Sequence, residues 1–254
     1  MKKKRFRTAA CLCTLILLFT ALPQSATAEG TQAQNLTAAA VMTLNGTESG
    51  VSKLKDGAYT SKVSCKAGDT LNISADTEIW SIYLIFDRAP EKYTVESEGQ
   101  TQACGLSGFL HEVVRPTAPS KEITITLPES ILCDVSVYAK GTLPDSVQDW
   151  NAPYDDCDML LLPTHADDEH IFFGGIMPYY AGEKGMKVQV AYLTNHGGEP
   201  YRPHELLNGL WEVGIRAYPI ISEFPDYYSK ALEHAKTLYD TNDMLAYEVE
   251  LLRR

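Results

Sequence analysis

Two histidines and three carboxylates fall within six consecutive positions of this chain: His165, Asp167, Asp168, Glu169 and His170. Leu160, Leu161 and Leu162 precede them, and Ile171, Phe172, Phe173, Gly174 and Gly175 follow. A solvated charge run has no such apolar frame, so the segment reads as a loop that carries chemistry. His165 and Asp168 stand three positions apart, close enough for a tight turn to aim both at one divalent cation. Asp167, between them, would then face a metal-bound water. Zinc accepts mixed nitrogen and oxygen ligands and keeps a position open when three come from protein. It lowers the pKa of bound water toward about 7, within reach of a neighbouring carboxylate at neutral pH. The chemistry that fits is hydrolysis of an amide or ester. The same spacing also arises by chance, as a helix N-cap followed by an acidic first turn.

The elements around the cluster must position it. Met159–Leu162 reads as a strand, 169–182 as a helix and Val188–Thr194 as a second strand. A helix over 204–213, a strand over 217–221 and helical sequence to the end complete the alternation. Strand–helix alternation predicts an α/β fold, a Rossmann-like parallel-sheet domain over 157–254. Ligands bind beyond the carboxyl ends of strands in such sheets. The Thr164–His170 loop and the Asn195-His196-Gly197-Gly198 turn should therefore open on one edge. Residues 51–142 carry short alternating strands separated by turn signals, the pattern of an all-β sandwich preceding the α/β part. The stretch 143–156, with Pro144 and Pro153, reads as a linker, and 29–50 as a flexible lead-in.

A basic start (Met1–Arg7), an apolar run (Ala9–Leu22) and Ala26-Thr27-Ala28 make residues 1–28 a secretory signal peptide rather than an uncleaved anchor. The protein is thus expected to be secreted or held at the cell surface, with no stable membrane span after cleavage. Five of the 22 basic residues and none of the 33 acidic ones lie in that leader, so the rest of the chain carries −16 instead of −11. A surface this acidic repels nucleic acid and anionic membranes. Cys65, Cys104, Cys133 and Cys157 remain. If a bridge forms among them, Cys104 with Cys133 is the expected pair; free buried thiols are the alternative.

His165-Ala166-Asp167-Asp168-Glu169 with Gly174-Gly175, the Gly185–Thr194 segment, Arg202, Glu205 and the Phe224-Pro225-Asp226 loop together resemble the PIG-L/LmbE-like zinc-dependent de-N-acetylase family. The resemblance implies an enzyme that removes an acetyl group from an N-acetylated amino sugar or glycan. It implies His165 and Asp168 as Zn2+ ligands, Asp167 as general base, and Arg202 as a holder of a substrate oxygen; a surface pair with Glu205 is the alternative for Arg202. His196 is expected to line the substrate pocket, Glu169 to support the loop and His170 to be packed. His204 belongs to a helix start, and His111 and His234 have no constellation around them. The family's third ligand comes from a later His-rich motif, and no histidine follows His234. That ligand is expected beyond residue 254, so these residues alone should hold metal weakly and be inactive. The β-rich segment resembles galactose-binding jelly-roll modules. The alternative function is a non-catalytic carbohydrate-binding protein with a vestigial or truncated deacetylase part.

Overall fold

A computed structural model describes residues 30–196, 198–199 and 201–253; the leader-like residues 1–28 lie outside them. Alternating apolar and polar residues drive strands to bury one face. Nine such strands occur: β1 (Val41–Leu44), β2 (Val63–Cys65), β3 (Thr70–Ile79), β4 (Ser81–Phe86), β5 (Tyr93–Ser97), β6 (Gln100–Cys104), β7 (His111–Val114), β8 (Ser120–Thr126) and β9 (Ser130–Tyr138). They form two antiparallel sheets, in the orders β1-β3-β8-β5-β6 and β2-β9-β4-β7. In the first, Leu71 faces Ile125 and Ile73 faces Ile123, all buried. In the second, Ile82, Leu84 and Phe86 face Val137, Val135 and Leu132. These side chains join in one apolar core, which makes the two sheets a sandwich.

The 29–50 stretch, read above as flexible, supplies β1 and the buried Leu36, Ala40 and Met42. The 143–156 stretch is likewise packed, with Val147, Gln148 and Trp150 buried. These residues help to cover the outer face of the second sheet. Tyr83 on β4 is buried there with Ala33, Tyr138 and Val147. The four cysteines among the described residues are free thiols: Cys104 ends β6 of one sheet, and Cys133 lies on β9 of the other. The Cys104–Cys133 bridge is therefore absent.

Past the sandwich come β10 (Met159–Leu161), α1 (Asp168–Phe173), β11 (Val188–Tyr192), α2 (Arg202–Glu212), β12 (Ile220–Ile221), α3 (Leu232–Leu238) and α4 (Thr241–Arg253). The α/β fold class, with a Rossmann-like parallel sheet, is not what forms. Nine of the twelve described strands are antiparallel. The parallel part is three strands, β10-β11-β12, joined by only three and two residue pairs. The long helix expected over 169–182 is also interrupted. It ends at Phe173, before Gly174-Gly175, and the chain resumes as a turn of π-helix from Pro178. Glycines weaken a helix interior and proline removes a backbone donor, so the sequence cannot sustain the helix a doubly wound layer requires. The protein is predominantly antiparallel β.

Candidate functional site

The loops following β10, β11 and β12 meet at one edge. Leu193 N–H donates to the Pro163 carbonyl at 3.1 Å, and the Thr194 hydroxyl to the Thr164 carbonyl at 2.8 Å. Asn195 N–H donates to the Phe224 carbonyl at 2.8 Å. Strand pairing is parallel, so all three chains leave the sheet on the same side and their loops are brought together.

His165 sits at the centre of the cluster. Its Nδ1 lies 3.3 Å from Asp168 Oδ2, and its backbone N–H donates to that same oxygen at 3.0 Å. Its Nε2 lies 3.2 Å from Asp226 Oδ1. Asp226, quoted above in the Phe224-Pro225-Asp226 loop but given no role, is thus part of the cluster. Asp167, at the N-cap just before α1, has φ of 106°, far into a region that side chains disfavour. Its N–H donates to Glu169 Oε2 at 3.0 Å, and Arg202 Nη2 donates to its Oδ2 at 3.3 Å. Glu169, fully buried, therefore props the strained peptide. Arg202 turns to Asp167.

His196 is the second strained non-glycine residue here, with φ of 53°. Its ring is buried, its Nε2 has no protein partner, and burial followed by the Arg202 charge holds its pKa below the usual histidine value. Backbone strain of this kind costs about 1–3 kcal/mol and survives only where the surroundings dictate it. His196 lines a cleft of about 510 Å³ with Asn195, Gly198, Glu199, Arg202, Pro225 and Asp226. Beneath the loop, Glu169 Oε1, His170 Nε2 and the Tyr192 hydroxyl are also buried without a hydrogen-bond partner. His170 Nε2 lies 3.5 Å from that Glu169 oxygen, so the ring packs against the carboxylate.

Two donors at zinc-bond lengths of ~2.0–2.1 Å and a tetrahedral angle stand about 3.3 Å apart. The His165 Nδ1 to Asp168 Oδ2 separation, 3.3 Å, has that value, so the pair fits two corners of such a site. Asp226 faces the opposite ring nitrogen and cannot share the same corner set without a turn of the ring. Among the described residues, no third donor joins His165 and Asp168; the one three-donor group is Asp87, Cys133 and His204, elsewhere. His204 contacts His111, which stands 93 positions away in sequence, at 2.9 Å. No local pattern could have paired them.

No family model matches the chain, and no curated protein matches it. The resemblance to de-N-acetylases thus gains no support from a family match. Several solved structures are similar over part of the chain. A Clostridium perfringens protein designated CpGH89CBM32-6 is 8% identical, covering 40% of this chain and 94% of its own, with a TM-score of 0.33. A pectin-binding carbohydrate binding module is 15% identical, covering 44% and 96%, with a TM-score of 0.31. The catalytic unit of an alpha-1,3-glucanase from Streptomyces thermodiastaticus is 9% identical, covering 65% and 38%, with a TM-score of 0.28. Superpositions this loose define neither the fold nor the function of this chain.

Proposed function

We propose that the protein acts on a glycan: an acetamido sugar enters the cleft beside Arg202 and Asp226, and water removes its acetyl group. The observation behind this reading is the convergence of Asp168 and Asp226 on the His165 imidazole, with the strained Asp167 beside it on Arg202. Asp167 is 53% exposed at its side chain, so a water and a substrate can reach it, and its carboxylate is the base that takes the water's proton. Arg202 is free to turn from Asp167 and hold a substrate oxygen, because an exposed pair of this kind binds weakly. His196 forms part of the cleft wall beside Arg202. His165 and Asp168 would hold a zinc-type ion, which when bound would polarise the acyl oxygen and acidify water. A cleft of about 510 Å³ falls in the usual size range for small-ligand sites, ~300–1,000 Å³. Export follows from the leader-like residues 1–28, and the acidic remainder suits a neutral or cationic glycan.

Glycan binding without turnover is the second reading. It is favoured by a specific observation: only two donors converge, and both ring nitrogens of His165 already face carboxylates. One experiment separates the two. Zinc-supplemented protein and its Asp167→Asn variant are given N-acetylglucosamine oligomers, and acetate release and calorimetric binding are both recorded. Hydrolysis predicts matching affinities, with acetate release at least ~100-fold slower in the variant. Binding with no acetate from either protein decides for the second reading. No binding at all sinks both.

A further inference from the structure

We propose a second, separate metal site, in which Cys133, His204 and Asp87 hold a zinc-class divalent ion that clamps α2 to the sandwich. One donor atom from each of the three residues lies within 4.8 Å of the others. Thiolate, imidazole and carboxylate are all zinc ligands, and tetrahedral edges of roughly 3.3–3.8 Å lie a small side-chain turn away.

The fold builds the site with a β-bulge. Pairing between β4 and β9 steps from Ile85–Asp134 to Phe86–Leu132 and leaves Cys133 without a partner. Such an insertion re-aims a side chain. Leu132, Val135 and Val137 join the sandwich core, whereas Cys133 is buried but is no part of it. Its side chain is directed toward α2 instead. Asp87 follows β4 at the same point, tied by its N–H to the Ile131 carbonyl at 2.9 Å.

A hydrogen-bond chain fixes the state of His204. Trp150 Nε1–H donates to Gln148 Oε1 at 3.2 Å, and the Gln148 amide nitrogen donates to Asn208 Oδ1 at 2.6 Å. Gln148 Oε1 is therefore an acceptor, and His111 Nδ1, 2.7 Å from it, carries the proton, with the Tyr83 oxygen as a second acceptor at 3.1 Å. His111 Nε2 is then an acceptor for His204 Nδ1–H at 2.9 Å, which leaves His204 Nε2 as a bare lone pair. That atom is buried with no hydrogen-bond partner, on a residue with 0% exposure. Each ring in this hydrogen-bond chain carries its proton on Nδ1 alone, so both are neutral. Metal-binding histidines have this form: one nitrogen donates to a fixed partner and the other faces the ion.

A Cys-His-Asp nucleophile is the competing use of these residues. Cys133 is fully buried, so no substrate reaches its sulfur as the structure stands. Lys62 contacts Asp87 Oδ1 and also lies 5.0 Å from the Tyr201 ring centroid. It can stay on Oδ1 or move over the ring, and Oδ2 is the donor assigned to the ion.

Metal-free full-length protein, titrated with Co2+, tests the site. The expected result is a sulfur-to-cobalt charge-transfer band that grows with one equivalent of ion held at this site, and release of a proton. The band should persist in Cys157→Ser, which removes the exposed thiol, and in the double variant His165→Ala/Asp168→Ala. It should vanish in Cys133→Ser, and His204→Gln should weaken binding ~100-fold or more. If Cys133→Ser does not fold, Asp87→Asn and His204→Gln must each weaken the same band. No band in the folded wild type, a band lost with Cys157→Ser, or a band surviving in Cys133→Ser overturns the proposal. Loss of the band in the folded His165/Asp168 double variant overturns it as well, because the site would then not be separate from the cleft.

Discussion

At the scale of single residues, Asp167 departs furthest from ordinary geometry. Its φ of 106° is one that glycine adopts without penalty, and Glu169 and Arg202 hold it there. Asp167→Gly is expected to gain about 1 kcal/mol in urea unfolding while losing acetate release, the trade of a residue kept for chemistry. An unchanged or lower stability would mean that the strain is absorbed elsewhere. Arg202 makes the opposite prediction. Its pair with Asp167 is exposed, 32% and 53%, so Arg202→Ala should move stability by less than ~1 kcal/mol. Binding of N-acetylglucosamine oligomers to the same variant should weaken ~10-fold or more, as calorimetry would record, because a fixed substrate contact is lost.

At the scale of elements, α2 is held by close backbone approach. Gly214, just past its end, has φ of +91°, and a Cβ there would meet Gly182 Cα at 2.6 Å. Neither backbone can yield without shifting its element. Gly214→Ala should therefore cost at least ~2 kcal/mol, the sum of a left-handed penalty and a forced displacement. Thermal unfolding would check this; a loss of under half that size would show that the 178–183 turn gives way easily. The same helix carries His204 and Arg202, so its displacement should also weaken both ligand sites.

At the scale of the whole molecule, residues from Gln32 onward make one compact unit. The Phe109 and Tyr218 rings stack at 4.2 Å, and Leu110 N–H donates to the Tyr218 hydroxyl at 3.1 Å. With the His111–His204 and Gln148–Asn208 bonds, these contacts join sandwich strands to the later elements. Unfolding should accordingly be one transition, with far-ultraviolet circular dichroism and tryptophan fluorescence coinciding. Phe109→Ala should lower the unfolding free energy of that single transition by about 3 kcal/mol. Separate transitions by the two probes would refute the single unit.

The sequence by itself determined what depends on neighbours along the chain. Alternation over residues 51–142 marked the sandwich as a whole. The buried runs at Met159 and Val188 marked β10 and β11, and the packed His165–His170 segment marked the loop that joins Asp226 and Arg202. Weakly patterned β1 falls in the stretch read as a flexible lead-in, because an edge strand is specified by its partner rather than by its own residues. Tertiary structure alone decided the rest. Three short parallel strands do not make a doubly wound sheet, and Cys104 and Cys133 lie on different sheets as free thiols. Asp226 reaches His165, and His111 reaches His204, only because the fold closes long loops around them. Short-range spacing can place a ligand on a turn; which distant side chains it meets is set by packing.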